Sequence, residues 1–312
     1  MLNELIVKGF QIVFHWFIGE NTPPEKHINE PRSLERVRHV NELQEGGNSK
    51  RRRLECKVLE FLNLNLNEAD VADAKKLLET VRLKPEFVIE RCNLCFTSKS
   101  LLCLREACWL NDEVINLEMA LLEEHFKEEG VLAMNSHFYG KLTEKGRYQY
   151  HLVSRWTNYI DLFQQRRIIL PIHVRGSHWV LVVINIRKRI LEYFDPLPAN
   201  IIEANEVLQN VLNWIADEKK HKKSVYAKGK GPSKWLKRIR EDCPQQSNGY
   251  DCGVFIVLFA WTYGLGSEPI PERIDCQQLR RKILLDIFRT TKGEGNEMML
   301  VMGKCEENRQ RT

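Results

Sequence analysis

The chain has 312 residues, of which 43% are hydrophobic and 29% are charged, so it can bury at least one substantial core. It contains no apolar run of about 18 residues, which excludes a membrane-spanning helix. The formal net charge of +5 is a mild basic excess that a mixed-charge surface explains. Nine cysteines, an odd number at irregular spacing, favour a reducing compartment over a secreted disulfide framework.

Residues 1–57 are predicted to form an N-terminal arm that is largely disordered or a linker. The first twenty residues include a short apolar stretch, but they lack the cationic start and the small-residue cleavage site of a signal peptide. Residues 20–55 are polar and show little apolar periodicity. The basic run at 50–53 is either a solvated charge cluster or a nuclear import signal.

A globular domain is predicted over residues 58–290, followed by a C-terminal tail over 291–312. Its first helix is expected in "NEADVADAKKLLETV", with Asn67 as a cap. A second helix is expected after "CWLN", because Ile115, Met119, Leu122 and Phe126 recur at helical spacing and Asn111 or Asp112 can cap its start.

Three strands are predicted in the middle of the chain, at 166–174, 178–185 and 189–195. Each is rich in branched and aromatic residues, and three residues separate the second and third strands, so these two should form a hairpin. The first two strands are almost continuously apolar, which indicates that both of their faces are covered.

The rest of the domain is predicted to be helical, interrupted by a lysine-rich loop over 218–240. Helices are expected at 202–217, from Cys252 to near Gly264, and at 276–288. The loop is either a solvated insertion or a surface for an acidic partner. Helices, then a sheet, then helices again favour an α+β fold.

The segment "DCPQQSNGYDCGVF" carries the clearest chemical signal. Asn248-Gly249 is a turn signal, and an apolar helix follows at once, so Cys252 is placed at a helix N-terminus. The partial positive charge there stabilises a thiolate, which is the nucleophilic form of cysteine. A cysteine at a helix start is also compatible with a purely structural role.

Two further residues complete a predicted catalytic triad. His178 opens the second strand, and Asp195 ends the third strand seventeen residues later. If these strands form a hairpin, the two side chains meet at its open end. Asp195 could then orient the imidazole, and His178 could take the proton from Cys252.

Gln246, six residues before Cys252, is the candidate oxyanion donor. Its amide could act together with the backbone N–H of Cys252, and one such donor is typically worth about 10²–10³ in rate.

These residues resemble those of the ubiquitin-like-specific cysteine proteases, the SUMO or sentrin protease family. Four blocks match in the family's order, with its spacing between His178 and Asp195 and between Gln246 and Cys252. They are "WLNDEVIN" (109–116), "HWVLVVIN" (178–185), "YFDPL" (193–197) and "DCPQQSNGYDCGVF" (242–255). The resemblance covers roughly residues 60–290.

The resemblance implies a papain-like α+β fold with a central mixed sheet and a buried helix that bears the nucleophile. It implies that Trp109 and Trp179 clamp the Gly-Gly tail of a ubiquitin-like modifier, since residues without side chains can pass through a flat aromatic slot. It also implies that Asp112 contacts the bound modifier. His137 departs from the family, where an aromatic or apolar residue is usual, so the modifier-facing surface is less closely matched than the catalytic centre.

The implied function is cleavage after the Gly-Gly of a SUMO-type modifier, to remove it from lysines of sumoylated proteins and to mature its precursor. No cofactor, metal, nucleic acid or membrane is expected as a partner, and the chain is expected to be a monomer in the nucleus, with the cytoplasm as a further location. Alternatives are a protease for another modifier, as in deneddylase-type relatives, and an inactive modifier-binding module. A zinc site at Cys92, Cys95, Cys103 and Cys108, and nucleic-acid binding by residues 219–240, are weaker alternatives.

Overall fold

A five-stranded mixed sheet forms the centre of the protein, with helices on both faces. The computed structural model describes residues 66–85, 88–91, 94–222, 234–263 and 274–288, all within one compact unit. The predicted arm (1–57), its basic run and the predicted tail (291–312) lie outside the described residues.

Seven α-helices occur among the described residues. They are α1 (Glu68–Leu83), α2 (Ser98–Leu101), α3 (Asp112–His125), α4 (His137–Leu142), α5 (Ile201–His221), α6 (Cys252–Tyr263) and α7 (Cys276–Phe288). Single 3₁₀ turns span Leu102–Leu104, Lys127–Glu129, Glu144–Gly146 and Tyr150–Leu152. The predicted caps are present: the Asn67 side chain accepts from Asp70 N, and the Asn111 side chain accepts from Val114 N.

In the part of the chain that the structure describes, seven strands form two sheets. They are β1 (Val88–Arg91), β2 (Leu94–Thr97), β3 (Val131–Ala133), β4 (Arg167–Val174), β5 (His178–Asn185), β6 (Ile190–Phe194) and β7 (Leu236–Arg240). β1 and β2 form a separate hairpin, whereas β3 to β7 follow one another in chain order in the central sheet. The β4–β5 and β5–β6 pairs are antiparallel. The two edge strands each pair in parallel with their neighbour, β3 with β4 and β7 with β6.

The predicted hairpin is the β5–β6 pair. Its register places Asn185 opposite Ile190 at the closed end and Leu181 opposite Phe194 toward the open end. His178 and Asp195 therefore emerge together at the open end, as the sequence predicted. All eight residues of β5 are buried, which matches the expectation of a strand covered on both faces.

The two faces of the sheet support separate apolar clusters. Ile169, Leu181 and Val183 face a cluster that includes α1, α3, α6 and α7. Ile168, Val180 and Val182 face the other cluster, with α4 and α5. All twelve residues of α6 are buried, so this helix forms the core of the first cluster.

The predicted lysine-rich loop over 218–240 is too long. Helix α5 continues to His221, because Glu218 is buried there and accepts hydrogen bonds from Tyr150 and Thr157. At the other end, Leu236–Arg240 pairs with β6 as strand β7. This strand lacks a recognisable strand pattern in the sequence, because Lys237 and Arg238 are exposed basic residues. Residues 223–233 lie outside the described residues.

Candidate active site

Cys252 is the first residue of α6 and is only 2% exposed. The turn before it is fixed by Asn248, whose Oδ1 accepts from the backbone N–H groups of Tyr250 and Asp251, each at 3.0 Å. The first helical bond then runs from Phe255 N to Asp251 O at 3.0 Å. The thiol consequently lies at the positive end of the helix dipole, where negative charge on sulfur is stabilised.

His178 and Asp195 form a buried pair at the end of the β5–β6 hairpin. His178 Nε2 donates to Asp195 Oδ1 at 2.7 Å, and the imidazole also makes a hydrogen bond with Cys252. Leu197 N also donates to the same carboxylate oxygen, at 2.9 Å. Asp195 is thus held by its own turn while it orients the imidazole.

The pKa of His178 reflects two opposing influences. Burial lowers it, but hydrogen bonds to Asp195 and to Cys252, with the negative charge they carry, outweigh the burial and raise it to about 9. A pKa of about 9 keeps the imidazole protonated at neutral pH, where its positive charge favours ionisation of a neighbouring thiol. A cysteine beside an imidazolium can supply a nucleophile and a general acid.

Gln246 lies on a loop that is bonded to the turn after β6. Gln246 N donates to Pro196 O at 2.7 Å, and the neighbouring Gln245 Nε2 donates to Asp195 O at 3.0 Å. The side-chain nitrogen of Gln246, Nε2, donates to Asn248 O. The candidate oxyanion donor is therefore anchored to the same turns that hold Asp195 and Cys252.

A cleft of about 420 Å³ is lined by Trp109 and Trp179 and by Gly176 and Ser177, which directly precede His178. Trp109 is 55% exposed, and its Nε1 donates to Gly249 O at 2.8 Å, three residues before Cys252. Trp179 is buried, packs against His173 with ring centroids 4.4 Å apart and the rings tilted by 32°, and donates to Leu110 O at 3.0 Å. Both indoles are therefore held in place by hydrogen bonds to the backbone.

Asp112 and His137 line the outer part of the same cleft. His137 Nε2 and Asp112 Oδ2 are 3.0 Å apart, and both side chains are substantially exposed. The structure thus places Asp112 where a ligand in the cleft can reach it, but it is already paired with the residue that departs from the family pattern.

Other thiols near the site are held neutral. Burial raises the pKa of Cys103 to about 11, and burial together with Asp251 raises the pKa of Cys276 to about 12. Burial also raises the pKa of Cys243. Since the reactive species is the thiolate, these thiols are poor nucleophiles at neutral pH.

The weaker alternative of a zinc site finds no support in the described part of the chain, where no three His, Cys, Asp or Glu side chains are grouped to hold a metal ion. Cys92 lies outside that part. Among the described helices, none is long and apolar enough to cross a membrane.

Sequence reasoning missed two contacts that hold the site together. A Cβ added to Gly253 would lie 2.8 Å from Leu110 Cβ, so the start of α6 packs directly on the segment that carries Trp109. Arg280, on α7, forms a buried ion pair with Asp251 at 2.6 Å. The Gly253 contact had a signal in the sequence, because a glycine at the second position of a buried helix indicates close approach. The Arg280 contact had none.

The profile of the Ulp1 protease family, C-terminal catalytic domain, matches residues 108–294. The chain belongs to the Ulp1 protease family. It is therefore a cysteine-type protease, and the predicted family, enzyme class and papain-like α+β fold are confirmed.

Named relatives agree with this assignment. A putative ubiquitin-like-specific protease 1B of Arabidopsis thaliana is 33% identical over 72% of this chain and 67% of its own length. Sentrin-specific protease 2 of Homo sapiens is 38% identical over 50% of this chain, but the match spans only 26% of that protein.

Solved structures of Ulp1 match most of the described fold. The SUMO protease Ulp1 with its catalytic cysteine oxidized to a sulfenic acid is 29% identical, with a TM-score of 0.60 over 72% of this chain and 95% of that one. The C-terminal Ulp1 protease domain in complex with Smt3, the yeast ortholog of SUMO, is 28% identical, with a TM-score of 0.58 over 71% and 95% of the two chains.

Replacing Gly253 by alanine should destabilise the fold and reduce activity. The added methyl group meets a side-chain atom next to the backbone of Leu110, which cannot rotate away. We expect a net loss of about 1–3 kcal/mol in the free energy of unfolding, measured by urea denaturation. Gly140→Ala is the matched control, because its added methyl group meets nothing within 4 Å. Equal stability of the two variants would contradict the close packing.

Replacing Asp195 by asparagine should lower the pKa of His178, because the negative charge that offsets the effect of burial on the imidazole is removed. The imidazolium is present below the folded pKa of about 9 and is lost as pH rises through it, so the alkaline limb of the kcat/KM profile should move to lower pH. The rate at neutral pH should fall by about 10²–10⁴-fold. Asp73→Asn, an exposed change on α1, should leave the profile unchanged. An unmoved alkaline limb in Asp195→Asn would exclude this role.

Proposed function

We propose that this chain is a SUMO protease that cleaves the bond after the modifier's C-terminal Gly-Gly, both in lysine conjugates and in the precursor. The carrying observation is the cleft lined by Trp109 and Trp179: Trp179 directly follows His178 of the buried His178–Asp195 pair, and Trp109 is bonded to Gly249, three residues before Cys252. The names of the relatives, which include sentrin-specific and SUMO proteases, support this substrate class.

The cleft lined by Trp109 and Trp179, which forms the proposed slot, accounts for a preference for substrates with a glycine tail. Cys252 is almost fully buried, so a carbonyl carbon reaches its sulfur only through a narrow passage. Two glycines add no side-chain volume and can extend between fixed indole rings, whereas bulkier residues would have to displace a hydrogen-bonded tryptophan. The passage therefore favours modifiers that end in Gly-Gly.

In the proposed reaction the thiolate of Cys252 attacks the carbonyl carbon of the terminal glycine. The Gln246 amide and the Cys252 backbone N–H stabilise the negative oxygen of the tetrahedral intermediate. The C–N bond then breaks, and the His178 imidazolium gives its proton to the leaving amine. His178 next takes a proton from water, whose oxygen attacks the thioester carbon. The C–S bond then breaks, which releases the modifier's carboxyl group and returns Cys252 to the thiolate. Asp195 stabilises the imidazolium at each stage in which His178 is protonated.

Outside the catalytic centre, we propose that the protein acts as a monomer on sumoylated proteins. The basic run at 50–53 supports nuclear import, with the cytoplasm as a second location. Light scattering during gel filtration tests the monomer, since a dimer mass would exclude it. Imaging of a tagged chain tests the location, which is wrong if the nucleus contains no signal.

Thiol capture tests the function directly. SUMO with an electrophile in place of its terminal carboxylate should form a covalent adduct with the wild-type protein and none with Cys252→Ala, because Cys252 is the thiol that is bonded to His178. Cys252→Ser should keep binding SUMO while turnover collapses. Adducts are measured by mass spectrometry and binding by calorimetry.

Probes built on other ubiquitin-like modifiers serve as the controls. Labelling by one of these probes, and not by the SUMO probe, would support the mechanism but show that the substrate is that other modifier. Labelling by no probe would indicate the inactive modifier-binding module. Near-normal turnover by Cys252→Ser would show that another residue is the nucleophile.

Asp112 should contribute to recognition of the modifier rather than to chemistry. Because it lines the cleft but does not contact Cys252, Asp112→Asn should raise KM about 2–5-fold, the worth of one exposed ion pair, with kcat unchanged. Steady-state kinetics with a fluorogenic SUMO substrate measure both. Glu124→Gln, at the exposed far end of α3, is the control. An equal loss of kcat would place Asp112 in the catalytic step instead.

A further inference from the structure

Arg280 contacts both of the segments that flank Cys252, although it lies on the last described helix, α7. Its side chain is only 3% exposed. On one side the guanidinium donates to the Asp251 carboxylate at 2.6 Å and to Tyr250 O at 3.3 Å. On the other side it donates to Cys108 O at 2.7 Å. One planar group thus joins two segments that are distant in sequence.

We propose that Arg280 is a positioning residue that holds the nucleophile loop (residues 248–252) in register with the segment that carries Trp109. Cys108 directly precedes Trp109, and Asp251 directly precedes Cys252. The proposal rests on the proposed function, because it assigns Arg280 the task of aligning the slot with the thiol. A rigid guanidinium fork suits this task, since its donors have a fixed geometry that a lysine lacks.

The same segment receives two more bonds from this guanidinium. Arg280 Nη1 donates to Cys103 O at 3.0 Å and to Arg105 O at 3.2 Å. Cys103 lies in the 3₁₀ turn Leu102–Leu104, and Arg105 N closes that turn by donating to Leu102 O. Arg280 therefore also ties the end of this turn, before Trp109, to α7.

The influence of Arg280 extends to the candidate oxyanion donor through a chain of hydrogen bonds. Asp251 Oδ1 accepts from Arg280, and Asp251 Oδ2 accepts from Asn248 Nδ2 at 2.8 Å. Asn248 O in turn accepts from the Gln246 amide. Displacement of Asp251 would therefore move both the backbone before Cys252 and the amide of Gln246.

Charge gives Arg280 a second effect. Asp251 adjoins the nucleophile, and a carboxylate there disfavours negative charge on sulfur. Arg280 offsets that charge. Other titratable groups near Asp251 and Cys252 include His178, which is paired with Asp195, and Cys276, whose raised pKa keeps it neutral, with Asp275 beside it. Loss of Arg280 would consequently leave Asp251 uncompensated beside the thiolate.

Three variants separate positioning from simple structural support. Arg280→Met removes the fork and the charge. Arg280→Lys keeps the charge without the fork. The double variant Asp251→Asn/Arg280→Met removes both members of the buried pair, which avoids an uncompensated buried charge and so favours folding. Arg281→Met, one residue along α7, is the control, because the Arg281 side chain bonds to Gln277 of the same helix.

Each variant is measured for its folded fraction, for kcat and KM on a SUMO substrate, and for the pH dependence of Cys252 alkylation by iodoacetamide. Arg280→Met should lose about 10–100-fold in kcat/KM per folded molecule, mainly in kcat. The acid limb of its alkylation profile should move to higher pH. Compared with Arg280→Met, Arg280→Lys should show an alkylation profile close to that of the wild type but should recover little of kcat. The double variant should behave in the same way.

Wild-type kcat per folded molecule and an unmoved alkylation profile in Arg280→Met would overturn the proposal. So would failure of all three variants to fold, which would make the role purely structural. Alkylation needs no modifier, so an Arg280-dependent alkylation profile in a protein that does not process SUMO would support positioning while the proposed function fails.

Discussion

The burial of α6 is the constraint on which the rest of the structure depends. All twelve of its residues are enclosed, and their apolar side chains require cover on every side. The sheet, α3 and α7 supply that cover. Contacts on every side fix the orientation of α6 relative to the sheet. Its N-terminus, with Cys252, therefore lies at the end of the sheet where β5 begins and β6 ends. The reactive geometry is therefore a consequence of core packing.

The elements that could be predicted from sequence are those whose own residues determine them. Asn67 and its capping box fix the start of α1, and helix α7 has the predicted bounds because its apolar spacing is local. The β5–β6 hairpin was predictable for the same reason, and with it the meeting of His178 and Asp195. Sequence patterns succeed where neighbouring residues along the chain are also neighbours in space.

The elements that escaped prediction depend on distant partners. β3 has three residues, and β7 carries exposed lysine and arginine, so neither shows strand periodicity, and each is defined by parallel pairing with a strand far along the chain. The ion pair of Asp251 with Arg280 spans 29 residues, and Leu110 contacts Gly253 across more than half of the domain. No local pattern encodes such contacts, although the matched blocks indicated the residues around them.

Burial of the nucleophile and selection of the substrate are two effects of one arrangement. An exposed thiolate would react with many electrophiles, whereas Cys252 is almost fully buried, and both tryptophans of the neighbouring cleft are bonded to backbone near it. If the substrate enters through that cleft, as proposed, the entering chain must be thin. It must then be drawn in by contacts made farther away on a larger folded partner, because two glycines offer little binding energy themselves. On this proposal the chemistry is reserved for a tail attached to a recognised domain, and Asp112 and His137 are the first candidates for that recognition.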